Sequence, residues 1–430
     1  MSKKLKEFLS HYQNGCWLYP NSSMPIGHDP AETMHDLGMT FMTMPEHWIG
    51  SENCEENFAK YMDSARKLGM KALVFDSHIS LSRFSSPTPE QTRDRIKFYK
   101  ENYGDDIWAF MVCDEPWWKQ TDGGAKLNQC MERINPIREI MPDTSAFIAF
   151  LPGPNSPRYH MDYKAIRESL DIVNPEFLLY NVYSQCMAED NEKEQGIINF
   201  YCQLKVFSDI AKERKIPLWI SLLITSCWVF HQPSQNEIRW QLNVCAAHGV
   251  KGFMWYHLQD SKAPAITRHM APLTHDGQKT PRYEQLKYEN NRFMDGVAKQ
   301  LEGYELDDVY HVYKRYANFK YLEFDECDII DSCTSKYNRH LIVSIFKKLD
   351  GSGRKKVMVT NGDVEHNNHF VLKFKGEYEK YSIGAYSGYL AEGACQIINL
   401  FDGEDKHYDW HDDEDMQELI KEGKVKLQDA

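Results

Sequence analysis

The stretch from Ile107 to Trp118, IWAFMVCDEPWW, decides the fold. It begins with an unbroken apolar run, which is typical of a strand that is covered on both faces in a parallel sheet. The run ends in two carboxylic acids, Asp114 and Glu115, followed by Pro116 and two tryptophans. Acidic side chains in this position either begin the next helix or belong to a site at the carboxyl end of the strand.

Apolar segments alternate with longer, charged segments of helical spacing through the first 300 residues or so, as βα units around a parallel sheet do. Eight strands are predicted, at 16–19, 39–44, 71–75, the stretch from Ile107, 146–151, 177–182, 216–225 and 252–260. Helices are predicted at 53–68, 89–103 and 196–214, and Ser234 with Glu237 forms a capping box before a fourth. The order predicts an α/β fold, a (β/α)8 TIM barrel.

The pattern changes near residue 304. The runs HLIVSIFKKL, KKVMVTNG and HFVLKFKG are separated by DGSG, NGD and KGE turns, which indicates an antiparallel sheet. We therefore expect a catalytic barrel at residues 1–303 and a small antiparallel β-sandwich-like domain at residues 304–430.

The composition of the chain limits which classes of binding partner are expected. The chain has 50 Lys plus Arg and 63 Asp plus Glu, a formal net charge of −13, which argues against nucleic acid and anionic membrane surfaces. The N-terminus has no apolar core of a secretory signal, and no segment is long and apolar enough for a membrane span. Eleven cysteines without a CxxC pair predict reduced thiols in a cytoplasmic protein, with no structural zinc. The sequence does not indicate an oligomeric state.

In a barrel of this kind the active site lies at the carboxyl ends of the strands, so the polar side chains predicted there form one candidate set. These are Glu46, His47, Asp76, His78, Asp114, Glu115, Asn181, Tyr183, Ser226, His231, Tyr256, His257 and Asp260. Possible stacking surface comes from Trp17, Trp48, Trp117, Trp228 and Trp255, although each alone is typical of core packing.

Two carboxyl groups with aromatic surface suit glycoside hydrolysis, in which one is protonated and the other attacks or activates water. Glu115 is the candidate acid, because the adjacent tryptophans can desolvate it and raise its pKa. Asp260, Asp76 and Asp114 compete for the second role. Asp114 also suits holding Glu115 or a sugar hydroxyl.

A metal site could instead be assembled from Asp76, His78, His47 and His257, although no HxH or HExxH spacing supports it. A nucleophilic triad has less support, because the chain has no GxSxG elbow, and Gly-rich phosphate loops are absent too.

Three parts of the sequence carry a family resemblance: Asp114-Glu115-Pro116, the segment from Ile216 to Asp260, and LTHDGQKTPRYEQLKYENNRF at 273–293. Through them the chain resembles the glycoside hydrolases of the β-galactosidase and cellulase clan. The resemblance implies a barrel with Asn-Glu-Pro after strand four, whose Glu is the general acid/base, a role that Glu115 takes here. Two departures stand out: Asp114 replaces the Asn, and the clan's nucleophilic Glu at the end of strand seven has no counterpart in LLITSCW.

The sequence thus predicts a glycosidase that cleaves a small oligosaccharide or glycoside without a cofactor. Its catalytic candidates are Glu115, Asp260 and Asp76. The substrate-binding candidates are Asp114, Trp17, His47, Trp48, Trp117, Asn181, Tyr183, Trp228, Tyr256 and His257. The alternatives are an inactive carbohydrate-binding barrel and a metal-dependent hydrolase.

Overall fold

A computed structural model describes residues 2–17, 27–47, 53–81, 87–116, 123–151, 163–187, 190–227, 229–260, 270–384 and 388–401. The chain forms two compact units, Met1–Met294 with Tyr316–Asn318, and Asp295–Arg315 with Phe319–Ala430. The first unit holds the parallel sheet and the second holds the antiparallel sheets.

Helices and strands alternate through the first unit. The helices are α1 Lys3–Ser10, α2 Pro30–Asp36, α3 Cys54–Lys67, α4 Pro89–Tyr103, α5 Gly123–Ile140, α6 Tyr163–Val173, α7 Asp190–Arg214, α8 Gln235–Ala247 and α9 Pro281–Arg292. The strands are β1 Gln13–Cys16, β2 Phe41–Thr43, β3 Lys71–Val74, β4 Ile107–Asp114, β5 Ser145–Phe150, β6 Leu178–Asn181, β7 Leu218–Leu223 and β8 Val250–Tyr256. A π-helical segment, Phe293–Ala298, follows α9.

The eight strands form one parallel sheet in the order β1-β8-β7-β6-β5-β4-β3-β2. Between its two end strands, the Thr40 N–H donates to the Asn14 carbonyl at 2.8 Å, so the sheet is a nearly closed barrel. The predicted TIM barrel is confirmed. Because all strands run the same way, their carboxyl ends meet at one rim.

The first strand begins earlier than predicted. The sequence places it at 16–19 after an Asn-Gly turn, but β1 runs from Gln13 to Cys16 and contains that dipeptide. A Cβ on Gly15 would overlap the ring of Phe41 on the neighbouring strand. The glycine is therefore a close-approach position inside the barrel, which the dipeptide alone does not distinguish from a turn.

An aromatic core fills the barrel below the rim. The ring of Trp219 lies 4.6 Å from Phe177 and 5.3 Å from Trp108 between centroids. Leu5 and Leu9 of α1 belong to the same buried cluster. The charged N-terminal segment is thus an amphipathic helix whose apolar face packs on this core.

The helix ends follow local sequence signals. Thr88 with Gln91 and Ser234 with Glu237 form complete capping boxes at α4 and α8. Gly69, just after α3, has a φ of +68°, as a C-terminal glycine requires. Among the described residues, no helix combines the length and apolar character that crossing a membrane requires.

The second unit is an antiparallel β domain, as predicted. Its strands are β9 Tyr304–Val312, β10 Lys320–Tyr321, β11 Ile330–Ser335, β12 Leu341–Lys348, β13 Lys355–Asn361, β14 Asn368–Phe374, β15 Tyr389–Leu390 and β16 Cys395–Asn399. They form a sheet β10-β9-β12-β13-β16, parallel only between β9 and β10, and a sheet β11-β14-β15. One buried cluster contains side chains of both sheets, including Val343 and Phe370, so the sheets pack as a sandwich.

Candidate active site

Two adjacent carboxylic acids stand at the rim where β4 ends. Asp114 is the last residue of the strand and is exposed, whereas Glu115 is partly buried. The φ of Glu115 is +44°, a left-handed conformation that is uncommon for a residue with a side chain. Its N–H donates to the Ala149 carbonyl on β5 at 3.0 Å, so the backbone of Glu115 is fixed to the sheet.

Asn181 at the end of β6 joins the two acids. Its Nδ2 donates to Glu115 Oε1 at 2.8 Å and to Asp114 Oδ1 at 3.3 Å. Because both oxygens contact one nitrogen, they are at most 6.1 Å apart. The Asn181 side chain is 5% exposed, and its buried Oδ1 accepts no hydrogen bond from the described residues. It is thus an acceptor beside both carboxyl groups.

Burial, together with the negative charge of Asp114, raises the pKa of Glu115 to about 7, and the hydrogen bond from Asn181 opposes both effects. A carboxyl group with this pKa is about half protonated at neutral pH. It can therefore donate a proton in one step and accept one in another.

An aromatic wall lies beside these acids. Tyr183 and Tyr256 stack with ring centroids 5.3 Å apart. The Ser221 hydroxyl on β7 donates to the Met254 carbonyl, so it accepts from Trp17 Nε1 at 2.7 Å and from the Tyr183 hydroxyl at 3.0 Å. Burial raises the pKa of Tyr183 well above its ordinary value, and nearby Tyr256, Glu115 and Asp114 add to this. The phenol is neutral, and it lies within electrostatic reach of both carboxyl groups.

The end of β7 is apolar. Leu223, its last residue, and Ile224 after it are fully buried. Leu223 packs with Cys186 and Cys227 in a small cluster against which Tyr183, Phe230 and Tyr256 also pack. Gln241 of α8 bonds both backbone groups of Leu223 at 3.1 Å, which fixes the strand end.

Asp76 follows β3 and is 0% exposed. Its Oδ1 accepts from His78 Nδ1 at 2.8 Å, and its Oδ2 accepts from Arg95 Nε at 2.8 Å and from the Tyr99 hydroxyl. Burial alone would raise the pKa of Asp76, but the hydrogen bond from His78 and the charges of Arg95 and His47 hold it well below its usual range. Asp76 is therefore an ionised, fully bonded carboxylate that orients its neighbours.

His47, Asp76 and His78 lie close enough to hold a metal, with ligand atoms within 4.8 Å of one another. However, Arg95 Nη2 donates to His47 Nε2 at 3.1 Å, and burial lowers the pKa of this imidazole. The guanidinium thus engages two of the three potential ligands and supplies the positive charge that a metal would bring. These three side chains therefore do not fit a metal ion. It follows that there is no metal site here to which His257, the predicted fourth ligand, would contribute.

Asp260, which follows β8, is hydrogen-bonded to the backbone of two residues later in the chain. Its Oδ1 accepts from the Ala271 N–H at 2.9 Å, and its own N–H donates to the Leu273 carbonyl. His257 is fully buried, follows a cis peptide bond after Tyr256, and accepts from the Gln259 N–H at 3.3 Å. Asp260 as the second catalytic carboxylate stays a prediction.

Glu237 is the first carboxylate after β7 in the chain, but its oxygens are bonded. Oε1 lies 2.6 Å from His231 Nε2, and Oε2 accepts from the Ser234 N–H at 2.7 Å. The hydrogen bond to Glu237 raises the pKa of His231. The pair joins the loop after β7 to the start of α8.

Three of the predicted tryptophans, Trp48, Trp117 and Trp228, lie outside the described residues. Trp17 lies at the rim, bonded to Ser221. Trp255 as stacking surface is wrong: it is fully buried, and its Nε1 donates to Asn290 of α9. Its side chain points outward from the barrel because residues alternate between the two faces of a strand.

Sequence reasoning missed three side chains that shape the site: Arg95 and Tyr99 on α4, and Ser221 on β7. Arg95 and Tyr99 are four residues apart and so lie on one helix face, but nothing in the sequence shows that this face turns towards Asp76. Ser221 is a polar residue inside an apolar run, and that break is the signal that could have indicated it.

No family model matches the chain, and no curated protein is similar to it in sequence. Solved structures share the fold. The β-galactosidase of the Antarctic haloarchaeon Halorubrum lacusprofundi is 13% identical, with a TM-score of 0.50 over 66% of this chain and 58% of that one. The cold-adapted β-galactosidase of Rahnella sp. R3 is 11% identical, with a TM-score of 0.50 over 70% of this chain and 58% of that one. The predicted resemblance is confirmed for the fold, and the chain spans less than two thirds of either enzyme's length.

Proposed function

We propose that this protein is a glycoside hydrolase that acts on a small oligosaccharide or glycoside, with Glu115 as general acid/base. The observation that carries the proposal is the position of Glu115 at the end of β4, with burial and Asp114 raising its pKa to about 7. The shared fold with two β-galactosidases agrees with it.

Cleavage of a glycosidic bond requires a proton on the leaving oxygen. Protonated Glu115 donates it, and the resulting carboxylate is held by Asn181 Nδ2. In the second half of the reaction the same carboxylate removes a proton from water. Because the acid form is required first, activity falls as the pH rises above about 7.

The test is hydrolysis of a panel of 4-nitrophenyl glycosides by the wild type, Glu115→Gln and the exposed helix variant Glu101→Gln. Glu115→Gln should lower kcat by roughly 10²–10⁴-fold, the usual contribution of a general acid, while Glu101→Gln leaves it unchanged. Equal turnover by wild type and Glu115→Gln on a substrate that is cleaved would overturn the assignment.

A carbohydrate-binding barrel without catalysis is the second candidate, favoured by the apolar residues Leu223 and Ile224 at the end of β7. It requires saturable sugar binding, measured by calorimetry, with no product from any glycoside. Product that forms with the wild type and disappears with Glu115→Gln excludes this candidate.

A further inference from the structure

The roles assigned so far do not include the group that attacks the anomeric carbon. The sequence from Leu218 to Phe230, which contains β7 and the loop after it, has no Asp or Glu. Leu223 and Ile224 are buried, and Glu237 is bonded through both oxygens. No carboxylate is thus offered to the sugar from β7.

The two acids that do stand together come from one strand end. Asp114 and Glu115 are adjacent, and both bond to Asn181, so their bonded oxygens are at most 6.1 Å apart. A nucleophile must approach the anomeric carbon from the face opposite the leaving group that the acid protonates. Asp114, on the same wall as Glu115, suits a different task, which is to accept a hydrogen bond from a substituent on the neighbouring C2 carbon.

Resting on the proposed function, we infer that the substrate is a 2-acetamido-2-deoxy glycoside and that its own acetamido oxygen is the nucleophile. Substrate-assisted hydrolysis of this kind needs one general acid and one carboxylate that orients the acetamido group, rather than a second attacking carboxylate. Glu115 and Asp114 supply these two roles, and Asp114 replaces Asp260 as the second functional carboxylate.

In the first step the acetamido carbonyl oxygen forms a bond to C1 while the bond from C1 to the leaving oxygen breaks. Glu115 gives its proton to that leaving oxygen. The product is an oxazolinium ion, whose N–H and positive charge are stabilised by the Asp114 carboxylate. In the second step Glu115 takes a proton from water, the water oxygen bonds to C1, and the C1 bond to the acetamido oxygen breaks. The sugar is released with retained configuration.

The surroundings fit an acetamido group. Tyr183 and Tyr256 are partly exposed and pack on the buried cluster of Cys186, Leu223 and Cys227, so their rings offer an apolar wall for the acetyl methyl. Asn181 donates to both acids, and Tyr183 follows it by two residues after the end of β6, so this wall lies at the same part of the rim as the acids.

The test measures the turnover of 4-nitrophenyl β-glycosides of glucose and galactose and of their 2-acetamido counterparts. A second series replaces the N-acetyl group of the 2-acetamido substrates by N-fluoroacetyl groups with one, two or three fluorines. The inference predicts turnover of the 2-acetamido substrates alone. Each added fluorine weakens the carbonyl nucleophile, so kcat should fall with each, by at least about tenfold for the trifluoro compound. Turnover of the 2-hydroxy glycosides with no fluorine effect overturns the inference and leaves the proposed function standing. Failure of the wild type on both series, with turnover of another glycoside in the panel above, also overturns the inference alone, whereas failure on the whole panel overturns both.

A binding measurement gives a readout without turnover. A thiazoline fused at C1 and C2 of glucosamine or galactosamine imitates the oxazolinium ion, so it should bind the wild type in calorimetry. Asp114→Ala should weaken this binding and lower kcat by roughly 10²–10³-fold, as loss of a charge-stabilising group does. Asp143→Ala, in the exposed turn before β5 at the other end of the barrel, is the matched control and should change neither. Equal binding by Asp114→Ala and wild type contradicts the role of Asp114.

Discussion

Replacing Glu115 by Gln should stabilise the protein at alkaline pH. Burial, with the charge of Asp114, raises the pKa of Glu115 from 4.5 to about 7, so ionising it costs more in the folded chain than in the unfolded one. For an acid whose folded pKa is raised, stability is fully present below the unfolded pKa and is lost as the pH rises through the folded pKa. The lost free energy reaches roughly 3 kcal/mol, since each pKa unit corresponds to about 1.4 kcal/mol.

The assay is urea unfolding of wild type and Glu115→Gln at pH 5 and pH 9. At pH 5 only part of the penalty is present, so the difference between the two proteins should change by about 2.5 kcal/mol in favour of the variant between the two pH values. Because the comparison uses only the change in this difference between the two pH values, any pH-independent effect of losing the carboxyl group cancels.

The exposed Glu101→Gln variant is the control, and its difference from the wild type should be the same at both pH values. A difference between Glu115→Gln and the wild type that does not change with pH would refute the reasoning. In that case the carboxyl group is not destabilised when charged, and the proton needed for catalysis at neutral pH is not held there.

Three further changes test other parts of the structure. Asn181→Ala removes the hydrogen bond that lowers the pKa of Glu115, so the alkaline limb of the pH profile of kcat/KM should move to higher pH; a shift to lower pH contradicts this. Gly15→Ala should cost about 1–3 kcal/mol in urea unfolding because its Cβ would overlap Phe41, whereas Gly104→Ala, with open space, should stay within about 0.5 kcal/mol. Arg95→Met leaves a buried carboxylate uncompensated and should cost roughly 3–5 kcal/mol, and a loss under about 1 kcal/mol would contradict that pairing.

The barrel could be predicted because its signal repeats. Buried parallel strands are apolar on both faces and alternate with amphipathic helices, and β4 shows this with seven buried residues before Asp114. The start of β1 could not be predicted, because Asn14-Gly15 has the same appearance in a turn as in a strand where a ring approaches the backbone. A glycine can be required either for a positive φ or because a neighbouring side chain approaches the backbone closely. Which of the two applies depends on its neighbours in three dimensions.

The site could be predicted only in outline. That Glu115 and Asn181 meet follows from the barrel, since strand ends share one rim. The bonding of Asp76 does not follow, because its partner Arg95 is on the helix after the next loop and its orientation is set by packing. The desolvation that the sequence predicts for Glu115 is the main cause of its raised pKa, and the charge of Asp114 adds to it. The contribution of Trp117 or Trp118 stays a prediction, because both lie outside the described residues.

The most direct test of Glu115 as general acid is the dependence of Glu115→Ala on the leaving group of one substrate series. An alkyl leaving group needs a proton, whereas 2,4-dinitrophenolate leaves without one. The wild type should exceed the variant in kcat for bond cleavage by about 10²-fold or more on the alkyl glycoside and by less than about tenfold on the dinitrophenyl glycoside. An equal loss on both substrates would contradict proton donation by Glu115 and assign it a structural role.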